Sequence, residues 1–291
     1  MRHAFMPVLV VCCAAGAVRA QTVMVLGDSL GFGLNASEPA SGEPSYGDQG
    51  WAAGWANRLA ARNGGVRPSL VNLSVPFETA PSFFNGTEPF LYALNLNYDP
   101  ANPGTQAEAF TSRSNAITSG GGSISHVAIA QGGTDSLWLM ADPFYLYGTN
   151  EERQQMIDTL VSSFSDRYNA ILDLAMQQAP GAEIVALNVY NPARFYLYDE
   201  DENNDLLFER GEAIIERINA EIAAAAAARD IRLVDLYSAF LGREDELTNM
   251  PGFDDIHPNA AGHALIADLV IPAPGSAALL AAGLLAARRR R

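Results

Sequence analysis

Two short stretches, more than two hundred positions apart, hold the residue types that could do covalent chemistry. Near the start, an apolar run ends abruptly in Gly27-Asp28-Ser29-Leu30. A strand there delivers a small hydroxyl to the edge of a sheet, and Gly27 permits the tight turn into a following helix. Near the end stands Asp254-Asp255-Ile256-His257-Pro258-Asn259. A carboxylate three residues before a histidine, here Asp254, can reach the imidazole across a turn, fix its tautomer and stabilise the imidazolium. No other base fits, so Ser29, His257 and Asp254 form a nucleophile, base and orienter set. Each stretch also has a plain structural reading. Ser29 could cap an ordinary strand-to-helix turn, and Asp254 with His257 could cap the closing helix.

The elements that must position these residues follow from the hydrophobic pattern. Apolar, β-rich runs occur at 22–26, 70–75, 126–130, 183–189 and 231–236. Helical periodicity occurs at 51–62, 151–178, 206–228 and 257–270, with Pro258 opening the last. Strands alternating with helices predict a parallel sheet of about five strands covered on both faces, a three-layer α/β/α sandwich with right-handed crossovers. Ligands on such folds gather at the carboxyl ends of the strands, where Ser29 falls. Residues 35–50 and 76–104 carry loop chemistry. The second stretch holds many aromatics, which suits either a lid or acyl pocket or a satellite core under a loop. Gly120-Gly121-Gly122 reads as a hinge into the third strand.

Taken together, the two motifs resemble those of the SGNH (GDSL-type) hydrolases. Gly27-Asp28-Ser29-Leu30 reproduces that family's first block, and Asp254-Asp255-Ile256-His257-Pro258 its last. The resemblance spans nearly all of 22–270 and implies a flavodoxin-like sandwich that cleaves ester bonds without a cofactor. It implies Ser29 as nucleophile, His257 as base and Asp254 as its partner, with the backbone N–H of Ser29 as one oxyanion donor. The second block is Asn72-Leu73-Ser74-Val75-Pro76-Phe77-Glu78-Thr79, with Phe77 where the family has a glycine. The third is Gly132-Gly133-Thr134-Asp135, with Thr134 where the family has asparagine. Phe77 keeps a backbone N–H, but a positive φ there would be strained. Thr134 offers one rotatable O–H in place of a fixed amide. The implied oxyanion hole is therefore Ser29, Phe77 and Thr134. Gly27 to Gly31 also spell the Gly-x-Ser-x-Gly elbow of α/β-hydrolases, but that elbow follows several strands and Ser29 follows the first.

The two ends read as processing signals. Residues 1–20 join a basic start, an apolar stretch and Val18-Arg19-Ala20, the pattern of a signal peptide. Both cysteines, Cys12 and Cys13, lie inside it, so a processed chain has neither disulfides nor a thiolate nucleophile. Residues 272–291 join Pro272-Ala273-Pro274, a short apolar run and Arg288 to Arg291. This tail resembles the PEP-CTERM sorting signals, with Ala273 in place of their glutamate, and implies processing by an exosortase. Between the ends, 21–271 is one large domain. Lysine is absent, and six of the 18 basic residues lie in the end segments, whereas all 33 acids lie between them. So acidic a surface repels nucleic acid and anionic membranes, leaving the tail as the only membrane contact.

The expected function is an exported bacterial serine esterase or acylhydrolase, secreted or held in the cell envelope, acting on a small-molecule, polysaccharide or lipid ester. The alternative is an envelope-associated binding protein on a catalytically weakened SGNH fold, which the residues at 77 and 134 motivate. Asp201, Asn203, Asp205 and Glu212 fall at positions 1, 3, 5 and 12 of an EF-hand-like calcium spacing. Leu206 stands where that loop needs glycine, so a solvated acidic loop is the other reading. Nothing clusters Cys and His for zinc. His126 reads as a structural strand residue, His263 faces away from His257 on a helical period, and Asp28 and Asp135 read as turn and loop ties.

Overall fold

A computed structural model describes residues 21–36, 48–99, 101–191, 202–253 and 255–271, with 202–208, 252 and 253 described by their backbone alone. The segments read as signal peptide and sorting tail, 1–20 and 272–291, lie outside the described residues. Strand β1 (Gln21–Gly27) is buried from Thr22 onward. It leads into the single-turn helix α1 (Ser29–Phe32), then α2 (Gly50–Arg62) and β2 (Ser69–Asn72). Two short helices follow, α3 (Ser82–Asn85) and α4 (Pro89–Tyr92), then α5 (Gln106–Ser119) and β3 (Ser123–Ala130). Next come α6 (Gly133–Met140), α7 (Pro143–Tyr147), the long α8 (Asn150–Gln178), β4 (Glu183–Leu187), α9 (Glu202–Ala227) and β5 (Arg232–Val234). The chain continues through α10 (Leu236–Phe240), α11 (Glu244–Leu247), β6 (Thr248–Asn249), α12 (Met250–Phe253), β7 (Asp255–Pro258) and α13 (Ala260–Val270).

Strands β1 to β5 form one sheet in the order β2-β1-β3-β4-β5, and every neighbouring pair is parallel. Alternate residues of β1 face opposite layers, as the pleat requires. Met24 and Leu26 join a core with Val127, Ile129, Phe164 and Ile218, under α8 and α9. Val23 and Val25 join a second core with Trp51, Trp55, Ala128 and Ile266, under α2 and α13. This is the predicted three-layer α/β/α sandwich. β6 and β7 form a separate antiparallel ladder that carries His257.

Several elements differ from the pattern in the sequence. Helix α5 shows only a thin buried stripe of Gln106, Phe110 and Ser114, so hydrophobic periodicity gives no sign of it; its capping box, Thr105 with Glu108, does. The closing helix starts at Ala260 rather than 257. The Asn259 side chain accepts from the N–H groups of Ala261 and Gly262, so Asn259 is the cap and His257 and Pro258 belong to β7. The calcium spacing does not survive. Asn203, Asp205 and Glu212 lie along the helix α9, not in a loop able to wrap an ion, and the Glu212 carboxylate accepts from Asn191 at 2.5 Å and from Tyr237. Asp201 lies outside the described residues. Among the described residues no group of three or more His, Cys, Asp or Glu could hold a metal ion. Most aromatics of the 76–104 stretch, among them Phe83, Tyr92 and Tyr98, turn inward and join the same core as Met24 and Phe164 rather than a separate satellite. Phe77 and Phe90 stay exposed.

Candidate active site

Ser29 starts α1 immediately beyond β1, at the carboxyl end of the sheet. It does not cap the turn. Asp28 does, accepting the N–H of Leu30 at 3.0 Å on Oδ1. The other oxygen of Asp28 takes the N–H of Thr134 at 3.0 Å, so one buried carboxylate ties the start of α1 to the start of α6. Burial pushes that carboxyl up to about 6, although the N–H groups of Thr134, Leu30 and Gly133 and the charge of His257 pull the other way. The glycine before it cannot be replaced cheaply. Gly27 has φ 139°, and a Cβ there would lie 2.0 Å from the carbonyl oxygen of Ala130.

The second block is built from turn chemistry. The N–H of Glu78 reaches the carbonyl of Val75 at 3.1 Å, closing a turn over Pro76 and Phe77. Phe77 has φ 64°. Proline followed by positive φ is the pattern of a type II turn, whose third position favours glycine. The left-handed conformation that the sequence marked as strained is therefore adopted, by a phenylalanine. Glu78 is buried behind it and accepts from Gln106 Nε2 at 3.3 Å, Tyr92 Oη at 3.5 Å and Ser82 Oγ. Gln106 also takes the N–H of Gly27 at 2.7 Å and donates to its carbonyl at 3.0 Å, so α5 grips the end of β1 directly. In the third block, Asp135 accepts the N–H of Ala80 at 3.0 Å and the Gln131 amide at 3.1 Å, tying α6 to the Phe77 loop. Thr134 is buried in the first turn of α6.

β7 presents His257, and α1 packs against that strand. Asp254, the partner implied by the sequence motif, lies outside the described residues. The carboxylate on the imidazole is the neighbouring one. Asp255 Oδ1 lies 2.5 Å from His257 Nδ1, and Oδ2 accepts from Asn35 at 3.0 Å and Asn249 at 3.2 Å. Position 255 gains this contact because residues 255–258 are extended, which turns side chains two apart to the same side. Burial pushes the Asp255 carboxyl up, but the hydrogen bond and charge of His257 outweigh it and hold the group down at about 2. Tyr190 Oη fixes the strand from behind through the carbonyl of Ile256 at 2.6 Å. The far nitrogen of His257, Nε2, is buried and has no hydrogen-bond partner among the described residues. His263 faces elsewhere: its Nδ1 accepts the N–H of Trp51 at 3.1 Å, and burial and the charge of His257 push it down to about 3.

The structure thus gathers Ser29, His257, Thr134 and Phe77 at one end of the sheet and adds Asp255, Asn35, Asn249 and Gln106. Nothing in the spacing of Asn35 or Gln106 foretells a role. The extended pattern of 255–258, with alternate residues sharing a side, could have pointed to Asp255.

Solved structures of similar fold include an extracellular lipase from Streptomyces rimosus, 18% identical with TM-score 0.55 over 87% of this chain and 100% of that one. Phospholipase A1 from Streptomyces albidoflavus is 18% identical with TM-score 0.53 over 86% and 98%. An acetylxylan esterase from Geobacillus stearothermophilus is 15% identical with TM-score 0.51 over 86% and 92%. At these identities the likeness is one of fold. No curated protein matches the chain in sequence. The model of the GDSL-like Lipase/Acylhydrolase family matches residues 25–265, from within β1 to within α13, and the chain belongs to that family.

Proposed function

We propose that this chain is an exported hydrolase of carboxylic esters that works through an acyl-enzyme on Ser29. The observation that carries the proposal is the imidazole of His257. Its Nδ1 is held by Asp255, and its Nε2 is buried, unpartnered and carried on the strand that packs against α1. In this reading Nε2 takes the proton of Ser29 as Oγ attacks the ester carbonyl carbon. The oxygen that becomes negative meets the N–H groups of Ser29 and Phe77, with the Thr134 hydroxyl as third donor. Collapse breaks the bond to the alcohol, which leaves with the proton from Nε2. Water then gives a proton to Nε2, adds to the acyl carbonyl and releases the carboxylic acid, and Ser29 regains its hydrogen. Asp255 keeps the tautomer and steadies the imidazolium without taking the proton. A hydrogen bond from Ser29 to Nε2 forms only as substrate arrives, as is common in catalytic pairs seen without ligand.

The substrates named for the solved structures run from phospholipid to acetylated xylan, so the fold alone selects no ester. The acidic surface of this chain disfavours anionic ones. Export rests on the pattern of residues 1–20 and predicts that the secreted protein begins at Gln21, which N-terminal sequencing reads. The catalytic proposal is tested with the full chain, p-nitrophenyl butyrate and a fluorophosphonate probe. Turnover and labelling are both expected, and both vanish in Ser29→Ala. If neither is seen in the natural chain, the fold serves as a binding scaffold, the reading that the residues at 77 and 134 favour.

A further inference from the structure

Phe77 and Trp138 are large, apolar and exposed, at 53% and 60% of their surface, and their rings touch with centroids 6.4 Å apart and planes tilted by 43°. One of them is held in a conformation that costs energy. A left-handed φ of 64° for a phenylalanine, at a turn position that glycine fills without strain, sits on a ring that leaves about half its surface exposed. The rings are also tied to the proposed site. Phe77 carries one of the oxyanion N–H groups in the reading above, and Trp138 lies one helical turn beyond Thr134 on α6.

We propose that Phe77 and Trp138 form a platform for the acyl group of the substrate, and that this group is apolar and longer than acetyl. The proposal rests on the Ser29–His257 reading, and two further arguments make it specific. The first concerns direction. The leaving alcohol must take its proton from His257 Nε2, so it lies toward β7, whose closing helix α13 covers the α2 face of the sheet. The acyl substituent on the other side of the carbonyl carbon then points toward α6, which packs on the opposite face with α8 and α9. The second concerns chemistry. The carboxylates nearest the rings in sequence are spent inward, Glu78 on Ser82, Tyr92 and Gln106, and Asp135 on Ala80 and Gln131. They do not offer the hydrogen bonds that a sugar stacked on an aromatic ring needs. Two rings tilted at 43° and in contact leave no slot for a third ring between them, but they offer a continuous apolar ledge to an alkyl chain.

The test compares p-nitrophenyl octanoate with p-nitrophenyl acetate on the full chain, because the shared leaving group cancels in the ratio of their kcat/KM values. Trp138→Ala should lower the octanoate-to-acetate ratio by roughly five- to tenfold, since the ledge covers one side of the chain only. Trp138→Phe should retain most of the ratio. Phe144→Ala, which removes a still more exposed ring on α7, should leave it within about twofold. A ratio unchanged in Trp138→Ala, or lowered as much in Phe144→Ala, overturns the platform while ester hydrolysis by the natural chain stands. A natural chain that hydrolyses neither ester and is not labelled at Ser29 overturns the hydrolase reading and the platform with it.

Discussion

Asp255 Oδ1 and His257 Nδ1 lie 2.5 Å apart on one short strand, and the carboxylate's other oxygen is held by the amides of Asn35 and Asn249. A carboxylate pinned on both oxygens cannot swing away from the imidazole. Asp255→Asn should therefore lower kcat by ~10²–10⁴, because the amide presents the wrong partner to Nδ1–H and no longer steadies the imidazolium. Asp254→Asn should change kcat by less than about threefold. Steady-state kinetics on the two variants decides between the neighbouring acids, and a loss confined to Asp254→Asn would transfer the role to that residue.

Thr134 is placed by its backbone, since its N–H is bonded to Asp28. Its side chain can therefore change without moving α6. An asparagine there would carry an NH₂ further into the site, on a planar amide in place of a rotating hydroxyl. A lost oxyanion donor commonly costs ~10²–10³ in rate. Thr134→Asn should recover part of that and raise kcat roughly tenfold or more, with little change in KM. An unchanged kcat would remove Thr134 from the oxyanion hole.

The sheet was legible because its strands are short apolar runs bounded by turn residues, and β1 reads almost to the residue. Ser29 was legible because a strand end, a glycine and a hydroxyl coincide. Contacts set by backbone conformation were not. The choice between Asp254 and Asp255 depends on whether 255–258 is helical or extended, and that is decided by Asn259 capping α13 and by the ladder with β6. Gln106 was hidden because its helix buries few apolar residues, and its work is to grip the peptide of Gly27 from 79 positions away. The acid run at 199–205 misled because spacing alone does not distinguish a loop from the first turn of a helix, and 202–205 are helical.

The strain at Phe77 can be measured directly. Where φ is negative alanine is more stabilising than glycine, because glycine loses more freedom on folding. At φ 64° the order should reverse. Phe77→Gly should be more stable than Phe77→Ala by about 1 kcal/mol, since both lose the contact with Trp138 and only alanine keeps a Cβ in the left-handed region. Urea denaturation of the pair reads the difference. Alanine equal to or above glycine would mean that the turn relaxes away from positive φ.

Three buried carboxyls behind the site predict how stability follows pH. Burial raises Glu78 and Asp135 to about 7 each, against the hydrogen bonds they accept, and Asp28 to about 6. Each binds its proton more tightly folded than unfolded. Their contribution is therefore complete below the unfolded range near 4 and is lost as pH rises through 6 and 7. For Glu78 alone the loss is on the order of 3 kcal/mol at full ionisation. The melting temperature should fall by roughly 5 °C or more between pH 5 and pH 8. Glu78→Gln stays neutral, can still accept from Tyr92 and Gln106 on its one oxygen while its NH₂ donates to Ser82 Oγ, and should melt with the natural chain at pH 5 but above it at pH 8. General repulsion on so acidic a protein also grows with pH, yet it acts on both proteins alike, so the gap between their curves isolates Glu78. Parallel curves would mean that Glu78 is ionised in the fold throughout and that its hydrogen bonds to Ser82, Tyr92 and Gln106 offset its burial.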